Sequence, residues 1–240
     1  MVKFNYFLSY SRDIYSEFIA QMHNKLFEIG INVWLDKFDV NIGDEIADNL
    51  YNMLDKSKEH QGVIFVFDKT FFHKKWCINE LEYVLKNDIP FFPILYKIKK
   101  ADIPPEYSFF KNYNLLSIHN SEEVNYLADR FTLLHLKNIS HNLSKKTIIK
   151  SEVGKTLLRK TDDILENKSD ILFNLDNFTQ FLLYSYQNNL LELNEDIKFC
   201  IVTISRIKHL YFSLGILSEY NQVIIKKVLI ILQASYFISE

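Results

Sequence analysis

Apolar positions in the first half of the chain follow two alternating spacings, which predict strands alternating with helices. Residues 63–67 are continuously apolar, as is typical of a strand buried on both faces. Between residues 14 and 29, apolar residues recur every three or four positions, as on one face of a helix, and Gly30 then ends it. The alternation predicts βαβ units, and hence an α/β fold with helices on both faces of a parallel sheet. The predicted strands are 3–9, 31–35, 63–67, 91–96 and 115–118, and the predicted helices are 14–29, 45–54, 75–86 and 121–136.

The pattern changes near residue 138. From there to residue 240 the chain has no proline and no strand-like alternation, and its long apolar-polar stretches predict three or four helices. We therefore predict an α/β domain over 1–137, a linker over 138–150 and a smaller all-α domain over 151–240. The predicted helices of the second domain are 152–166, 171–191, 195–214 and 217–238.

Composition and charge exclude several classes of protein. Hydrophobic residues make up 48% of the 240 positions, against five glycines and four prolines, so a disordered chain is excluded. A net charge of −2 gives no electrostatic footprint for nucleic acid. Cys77 and Cys200 cannot build a disulfide framework, which favours a reducing compartment. The N-terminus is too polar for a secretory signal, and residues 223–238 are too short to span a bilayer. We therefore expect a cytoplasmic protein that binds neither nucleic acid nor membrane.

Candidate ligand loops follow from the predicted sheet. Ligands of parallel sheets bind beyond the carboxyl ends of the strands, here after Ser9, Asp36 and Phe67. Trp76 and Glu80 are four residues apart, so on a helix they share one face and can contact one ligand. Each also has an ordinary structural explanation, since a glutamate near a helix start favours the helix dipole and a tryptophan packs against its neighbours. The sequence does not show two pairs of metal-ligating residues with the spacing of a zinc site, so no metal is expected.

Three segments of the first domain together resemble the TIR (Toll/interleukin-1 receptor) family. Residues 7–11, followed by Asp13, resemble its first strand and loop. Residues 30–36, followed by Gly43, resemble its second strand and the loop after it, the BB loop. Residues 76–81 resemble its Trp-Cys-x-x-Glu-Leu motif. The resemblance covers roughly residues 1–137 and implies a flavodoxin-like fold with a five-stranded parallel sheet.

The resemblance also implies site residues. Some TIR domains are scaffolds, whereas others hydrolyse or cyclise NAD⁺ and release nicotinamide. In those enzymes the catalytic acid is the glutamate of this motif, here Glu80, and the aromatic residue four positions earlier, here Trp76, stacks on the dinucleotide. The further substrate-binding residues implied are Tyr10, Ser11 and Arg12 in the first loop, Asp36 at the end of the second strand, where capping is an equal alternative, and Phe38 and Gly43 in the BB loop.

One carboxylate suffices for this chemistry. Nicotinamide leaves as a neutral molecule, so no general acid is needed, and a single preorganised carboxylate can stabilise the oxocarbenium-like ribose. NAD⁺ would then be the substrate, and no separate cofactor is expected.

The resemblance predicts a bacterial stand-alone TIR effector that releases nicotinamide and an ADP-ribose, cyclic or conjugated ADP-ribose product. It further implies antiphage defence, with a phage-derived trigger or a downstream effector as partner. The apolar C-terminal helices predict self-association, and we expect a homo-oligomer formed through these helices and the TIR domain. The alternative is a non-enzymatic TIR scaffold or adaptor, or a virulence factor that mimics host TIR domains. A flavodoxin-like receiver fits poorly because no acidic cluster follows the first strand.

Overall fold

A five-stranded parallel sheet organises the N-terminal part of the computed structural model, which describes residues 5–35, 46–59, 61–145, 195–214, 221–228 and 231. Within these residues the strand order is β2-β1-β3-β4-β5. That order is the flavodoxin-like one, so the predicted fold class is confirmed. The strands are β1 (Tyr6–Tyr10), β2 (Val33–Trp34), β3 (Val63–Phe67), β4 (Phe91–Tyr96) and β5 (Leu116–Ile118).

The central strand β3 explains the register of the sheet. It pairs with β1 from Phe7 opposite Val63 and with β4 from Val63 opposite Phe91. Strands with neighbours on both edges and helices on both faces are typically continuous apolar runs, and every residue of β3 is apolar and buried. The edge strand β2 is shorter than the predicted 31–35, because only Val33 and Trp34 pair with β1.

The described helices are α1 (Ala20–Glu28), α2 (Ile46–Glu59), α3 (Lys75–Lys86), α4 (Val124–Lys145) and α5 (Glu195–Leu214). Residues 221–228 are also helical. The bounds of α3 and α5 match the sequence prediction, and α2 extends five residues beyond the predicted end at 54. Short 3-10 turns, Lys100–Asp102 and Pro105–Asn112, connect β4 to β5. None of the described helices is both long and apolar enough to cross a bilayer.

The single helix predicted over 14–29 is wrong in its first half. A 3-10 turn (Arg12–Ile14) and a π-helical turn (Tyr15–Ile19) precede α1. The buried residues Ile14, Phe18, Met22 and Leu26 recur every four positions, which exceeds the α-helical period. A turn closed by i→i+5 bonds takes more residues, so it keeps Ile14 and Phe18 on the buried side.

Gly30 ends α1 as the sequence predicts. Its φ of 81° lies in the left-handed region, where glycine has no steric penalty. The backbone N–H of Ile31 donates to the carbonyl of Leu26, and that of Gly30 donates to Phe27, both at 2.9 Å. These two bonds form a Schellman motif, which turns the chain directly into β2.

Helix α4 is longer than predicted. It continues past residue 136 to Lys145, so the first eight residues of the predicted linker, 138–145, are helical. Leu136 and Ile139 are both buried, and neither glycine nor proline interrupts the segment. The chain divides into two compact units within this helix, Met1–Ala128 and Asp129–Glu240. The helices predicted over 152–166 and 171–191 lie outside the described residues, and the all-α domain over 151–240 stays a prediction.

The core beneath α3 fixes the helix that carries the candidate carboxylate. Leu81 and Val84 of α3 are buried against Phe7, Phe65 and other apolar side chains of the sheet. Burying such side chains contributes about 1.5–3 kcal/mol each. The position of α3 relative to β1 is therefore set by this packing.

Candidate active site

A cleft of about 530 Å³ opens at the carboxyl end of β1, beside the first two turns of α3. The strand order reverses between β1 and β3, and ligands of open parallel sheets bind at such a switch point. The volume of the cleft is within the range of small-molecule sites, about 300–1,000 Å³. The cleft is lined by Leu8, Tyr10, Arg12, Asp13, Lys74, Trp76, Cys77 and Glu80.

Glu80 lies in the second turn of α3, at the wall of the cleft. Only 4% of its surface is exposed, and the hydroxyl of Ser9 on β1 donates a hydrogen bond to its Oε2. A carboxylate removed from water is costly unless donors replace the lost hydration. The structure thus provides a fixed acidic group with a dedicated donor, at the place where the sequence predicted a catalytic acid.

Trp76 lies one turn before Glu80 and lines the same cleft. It is 37% exposed, so part of its ring is accessible from the cleft. An exposed ring face can stack on a planar ligand. The structure therefore brings together the aromatic ring and the carboxylate that the four-residue spacing predicted.

A second hydrogen bond joins α3 to β1. The thiol of Cys77 donates to the backbone carbonyl of Tyr10 over 3.4 Å. Cys77 is 3% exposed, in agreement with its interpretation as a small buried side chain. Together with the bond from Ser9 to Glu80, this contact fixes the first turns of α3 to the end of β1.

The rim of the cleft carries an ion pair between the loop after β1 and the residue before α3. Lys74 Nζ lies 2.8 Å from Asp13 Oδ2. The hydrogen bond from Lys74 lowers the pKa of Asp13, and the same bond raises the pKa of Lys74. Both side chains are about half exposed, so the pair is screened by solvent. Arg12, predicted as a substrate-binding residue, lines the same rim and is exposed.

Ser11 is not among the side chains that line the cleft, although the sequence analysis predicted that it contacts the ligand. It is fully buried, and its Oγ accepts a hydrogen bond from the backbone N–H of Asp13 over 3.3 Å. The hydroxyl of Thr70 lies 2.7 Å from Ser11 Oγ and 2.7 Å from a carboxylate oxygen of Asp68. This network connects the loop after β1 to the loop after β3. Ser11 therefore supports the loop beside the cleft and is not exposed to a ligand there.

The remaining predicted residues divide into two groups. Tyr10 is the last residue of β1, not part of the loop after it, and it lines the cleft; its role in substrate binding stays a prediction. Asp36, Phe38 and Gly43 lie outside the described residues, so their roles stay predictions. Over the described part of the chain, no three His, Cys, Asp or Glu side chains are placed to hold a metal ion.

Ser9 is the residue of the site that sequence reasoning missed. A signal was available, because Ser9 is the one small polar residue in an otherwise aromatic and aliphatic strand. A buried hydroxyl in such a strand needs a hydrogen-bond partner. Which partner it finds depends on the packing of α3 against β1, which the local sequence does not encode.

Comparison with known proteins yields two named relatives of low identity. An NAD(+) hydrolase, TcpA, of Theionarchaea archaeon (strain DG-70-1) is 28% identical over 87 residues, 36% of this chain and 26% of that protein. A 2' cyclic ADP-D-ribose synthase, AbTIR, of Acinetobacter baumannii (strain 1295743) is 27% identical over 105 residues, 42% of this chain and 38% of that protein. The chain thus spans well under half the length of either relative.

Two solved structures are also similar. The TIR domain of the Toll-related receptor TRR-2 of Hydra magnipapillata has a TM-score of 0.40 and 21% identity, covering 48% of this chain and 84% of that one. The TIR domains of the activated Roq1 resistosome, which directly recognises the pathogen effector XopQ, have a TM-score of 0.37 and 24% identity, covering 55% and 78%.

A family profile described as the TIR domain matches residues 7–130, slightly more than half of the chain. That span starts within β1 and ends in α4, and it contains all of the parallel sheet except Tyr6, together with the cleft. The three motifs, the strand order and this match agree, and the chain belongs to the TIR domain family.

Proposed function

We propose that this chain cleaves the bond between nicotinamide and ribose in NAD⁺. The observation that carries the proposal is the buried Glu80 carboxylate, held by Ser9 in a cleft beside the exposed ring of Trp76. The names of the two relatives, an NAD(+) hydrolase and a cyclic ADP-ribose synthase, support the same class of reaction. The products would be nicotinamide and linear, cyclic or conjugated ADP-ribose.

The chemistry requires stabilisation of a developing cation. The bond between C1 of the ribose and the pyridinium nitrogen breaks, and its electron pair leaves with neutral nicotinamide. Positive charge then develops on the ribose, where the fixed carboxylate of Glu80 stabilises it. Water, or a nucleophile of the ADP-ribose itself, bonds to C1 and releases a proton to solvent.

The other side chains of the cleft fit a dinucleotide. Trp76 offers an aromatic face one helical turn from Glu80, so a ring stacked on it lies close to the carboxylate. Arg12 places positive charge at the rim, where it favours an anionic pyrophosphate, while the charge of Lys74 is shared with Asp13. These residues would bind and orient the substrate, while Glu80 acts on the reacting atoms.

The biological setting is a wider proposal. Antiphage defence, a phage-derived trigger, a cytoplasmic location and self-association through the TIR domain and C-terminal helices rest on the resemblance and on apolar patterning. Cells that carry the chain should lose NAD⁺ during phage infection, and cells that carry the Glu80→Gln variant should not. Light scattering of the purified chain tests the self-association.

The decisive test is a Glu80→Gln variant, assayed with NAD⁺ with and without infected-cell extract. The amide keeps the size of the side chain and an acceptor for Ser9 but removes the charge. Losing one preorganised electrostatic group costs about 100- to 1,000-fold in rate. Products resolved by mass should include free nicotinamide for the wild type and almost none for the variant.

Glu82→Gln is the matched control, because Glu82 is an exposed residue of the same helix that accepts a hydrogen bond from Tyr107 over 3.3 Å. It should retain the wild-type rate. A Glu80→Gln protein that cleaves NAD⁺ as fast as the wild type would refute the catalytic assignment. A wild type that consumes no NAD⁺ under either condition would favour the scaffold alternative.

A further inference from the structure

The end of β1 contains a polar side chain that faces α3. Side chains of a strand alternate between its two faces, so Ser9 lies on the same face as Phe7, whose ring packs in the core that also holds Leu81 and Val84 of α3. Ser9 is 1% exposed, and its backbone is paired opposite Phe65 of β3. Pairing with β3 therefore fixes the backbone that carries this hydroxyl.

The bond from Ser9 to Glu80 connects residues 71 positions apart in the chain. Such a contact is set by the tertiary fold and does not arise from the helix itself. Because both side chains are buried, water does not compete well for the carboxylate. A hydrogen bond to a charged group contributes more than a neutral one, since its partner has lost hydration.

We propose that Ser9 is a positioning residue that holds the Glu80 carboxylate charged and correctly oriented at the cleft. Ser9 does not line the cleft, and it acts on the reaction through Glu80. This inference rests on the proposed function for its catalytic consequence, whereas the effect of Ser9 on Glu80 itself can be measured without substrate.

The kinetic test compares Ser9→Ala with Ser57→Ala. Ser57 is an equally buried serine of the same unit, and its hydroxyl donates to the carbonyl of Leu54 over 2.6 Å in α2. Ser9→Ala should lower kcat for NAD⁺ cleavage by about 10- to 100-fold and leave KM within about twofold. A carboxylate that loses a donor is protonated more easily, so the acid limb of the pH–rate profile should move about one unit to higher pH.

Ser57→Ala should lower the unfolding midpoint without moving kcat or the pH profile, which separates positioning from mere stability. Ser9→Thr keeps the hydroxyl and should restore most of the rate. Ser9→Cys, similar in size to serine but a weaker donor, should fall between serine and alanine. It also replaces Ser9→Ala if that variant does not fold.

A second measurement is independent of activity. The chain is labelled with ¹³C at the glutamate carboxyl carbons, and the Glu80 resonance is assigned by its loss in Glu80→Gln. Its titration midpoint should lie about one pH unit higher in Ser9→Ala than in the wild type, and should not move in Ser57→Ala.

The two measurements separate the two proposals. If the wild type cleaves NAD⁺ while Ser9→Ala keeps both its rate and its Glu80 titration, the role of Ser9 is refuted and the function stands. If the wild type cleaves no NAD⁺ but the Glu80 titration moves in Ser9→Ala, the function fails and the hold of Ser9 on the carboxylate stands.

Discussion

The two compact units bury ionisable side chains in different ways. In Met1–Ala128, Glu80 accepts a hydrogen bond from Ser9, and Asp68 accepts bonds from the backbone and hydroxyl of Thr70. In the described part of Asp129–Glu240, burial lowers the pKa of His135 to about 4 and, with a smaller contribution from Asp196, raises the pKa of Cys200. The first unit supplies donors to these two buried carboxylates, whereas burial favours the neutral forms of His135 and Cys200 in the second, as it does for the phenol of Tyr6 in the first.

The difference shows where chemistry can be expected. His135 packs beside Phe199, with ring centroids 4.3 Å apart, as a core side chain would. Its large pKa shift arises from desolvation, the ordinary consequence of burying an imidazole. Glu80 is singled out by a donor, a cleft and an exposed aromatic ring in one place. A perturbed titration alone therefore does not locate a site; its cause and its surroundings do.

The largest expected effect concerns His135. It tests whether burial in the second unit keeps this side chain neutral. Its folded pKa of about 4 lies below the ordinary 6.5, so the unfolded chain binds the proton more readily between these values. The contribution of neutral His135 to the free energy of unfolding is therefore complete above pH 6.5 and is lost as the pH falls towards 4. The loss amounts to about 3 kcal/mol of unfolding free energy, measured by urea denaturation at a series of pH values.

His135→Leu should remove this part of the pH dependence, because leucine packs against Phe199 without titrating. His209→Gln, at an exposed position of the same unit, should keep it. A His135→Leu protein whose stability falls with pH as steeply as that of the wild type would show that His135 is not held neutral by the fold.

The next effect concerns the exposed aromatic ring of the cleft. If Trp76 stacks on the substrate, Trp76→Ala should raise KM for NAD⁺ about tenfold, since stacking on an aromatic side chain contributes about 1–3 kcal/mol. Trp76→Phe should recover part of the loss. Phe109→Ala is the control, because Phe109 is also 37% exposed but lies in the turn between β4 and β5. Equal KM values for the two alanine variants would exclude stacking.

The sequence could predict contacts between residues that are close along the chain, but not contacts that the tertiary fold creates. Trp76 and Glu80 are neighbours on one helix, so local spacing was enough to place them together. The hydrogen bond between Ser9 and Glu80 joins residues 71 positions apart and forms only when α3 packs on β1. Ser11 has the same residue type in the same motif, yet it turns towards Thr70 and lies behind the cleft.

The fold shows the same division between local and tertiary information. The alternation of strands and helices and the bounds of α3 follow from apolar patterning, because a buried strand and an amphipathic helix have different periods. The flavodoxin-like arrangement of the strands was implied by the resemblance to the TIR family. The π-helical turn at Tyr15–Ile19 and the continuation of α4 to Lys145 were missed. Both depend on which side chains the tertiary structure buries, here Phe18 and Ile139.

The smallest expected effect concerns the ion pair at the rim, and it contrasts an exposed acid with the buried ones. Asp13→Asn removes the partner of Lys74 but should not change the urea midpoint, because exposed pairs contribute little to stability. The freed positive charge should attract an anionic substrate and lower KM for NAD⁺ about two- to threefold at low salt, and the gain should vanish at high salt.

Glu28→Gln provides the matched control, since it breaks an exposed pair with Lys25 (2.9 Å) in α1 and changes the net charge equally. If both variants lower KM to the same extent, net charge explains the effect and the rim position does not matter. If only Asp13→Asn lowers it, and salt abolishes the difference, the charge of Lys74 at the rim attracts the substrate. An exposed acid of the cleft would then tune substrate binding, in contrast to the role in the reaction proposed for the buried Glu80.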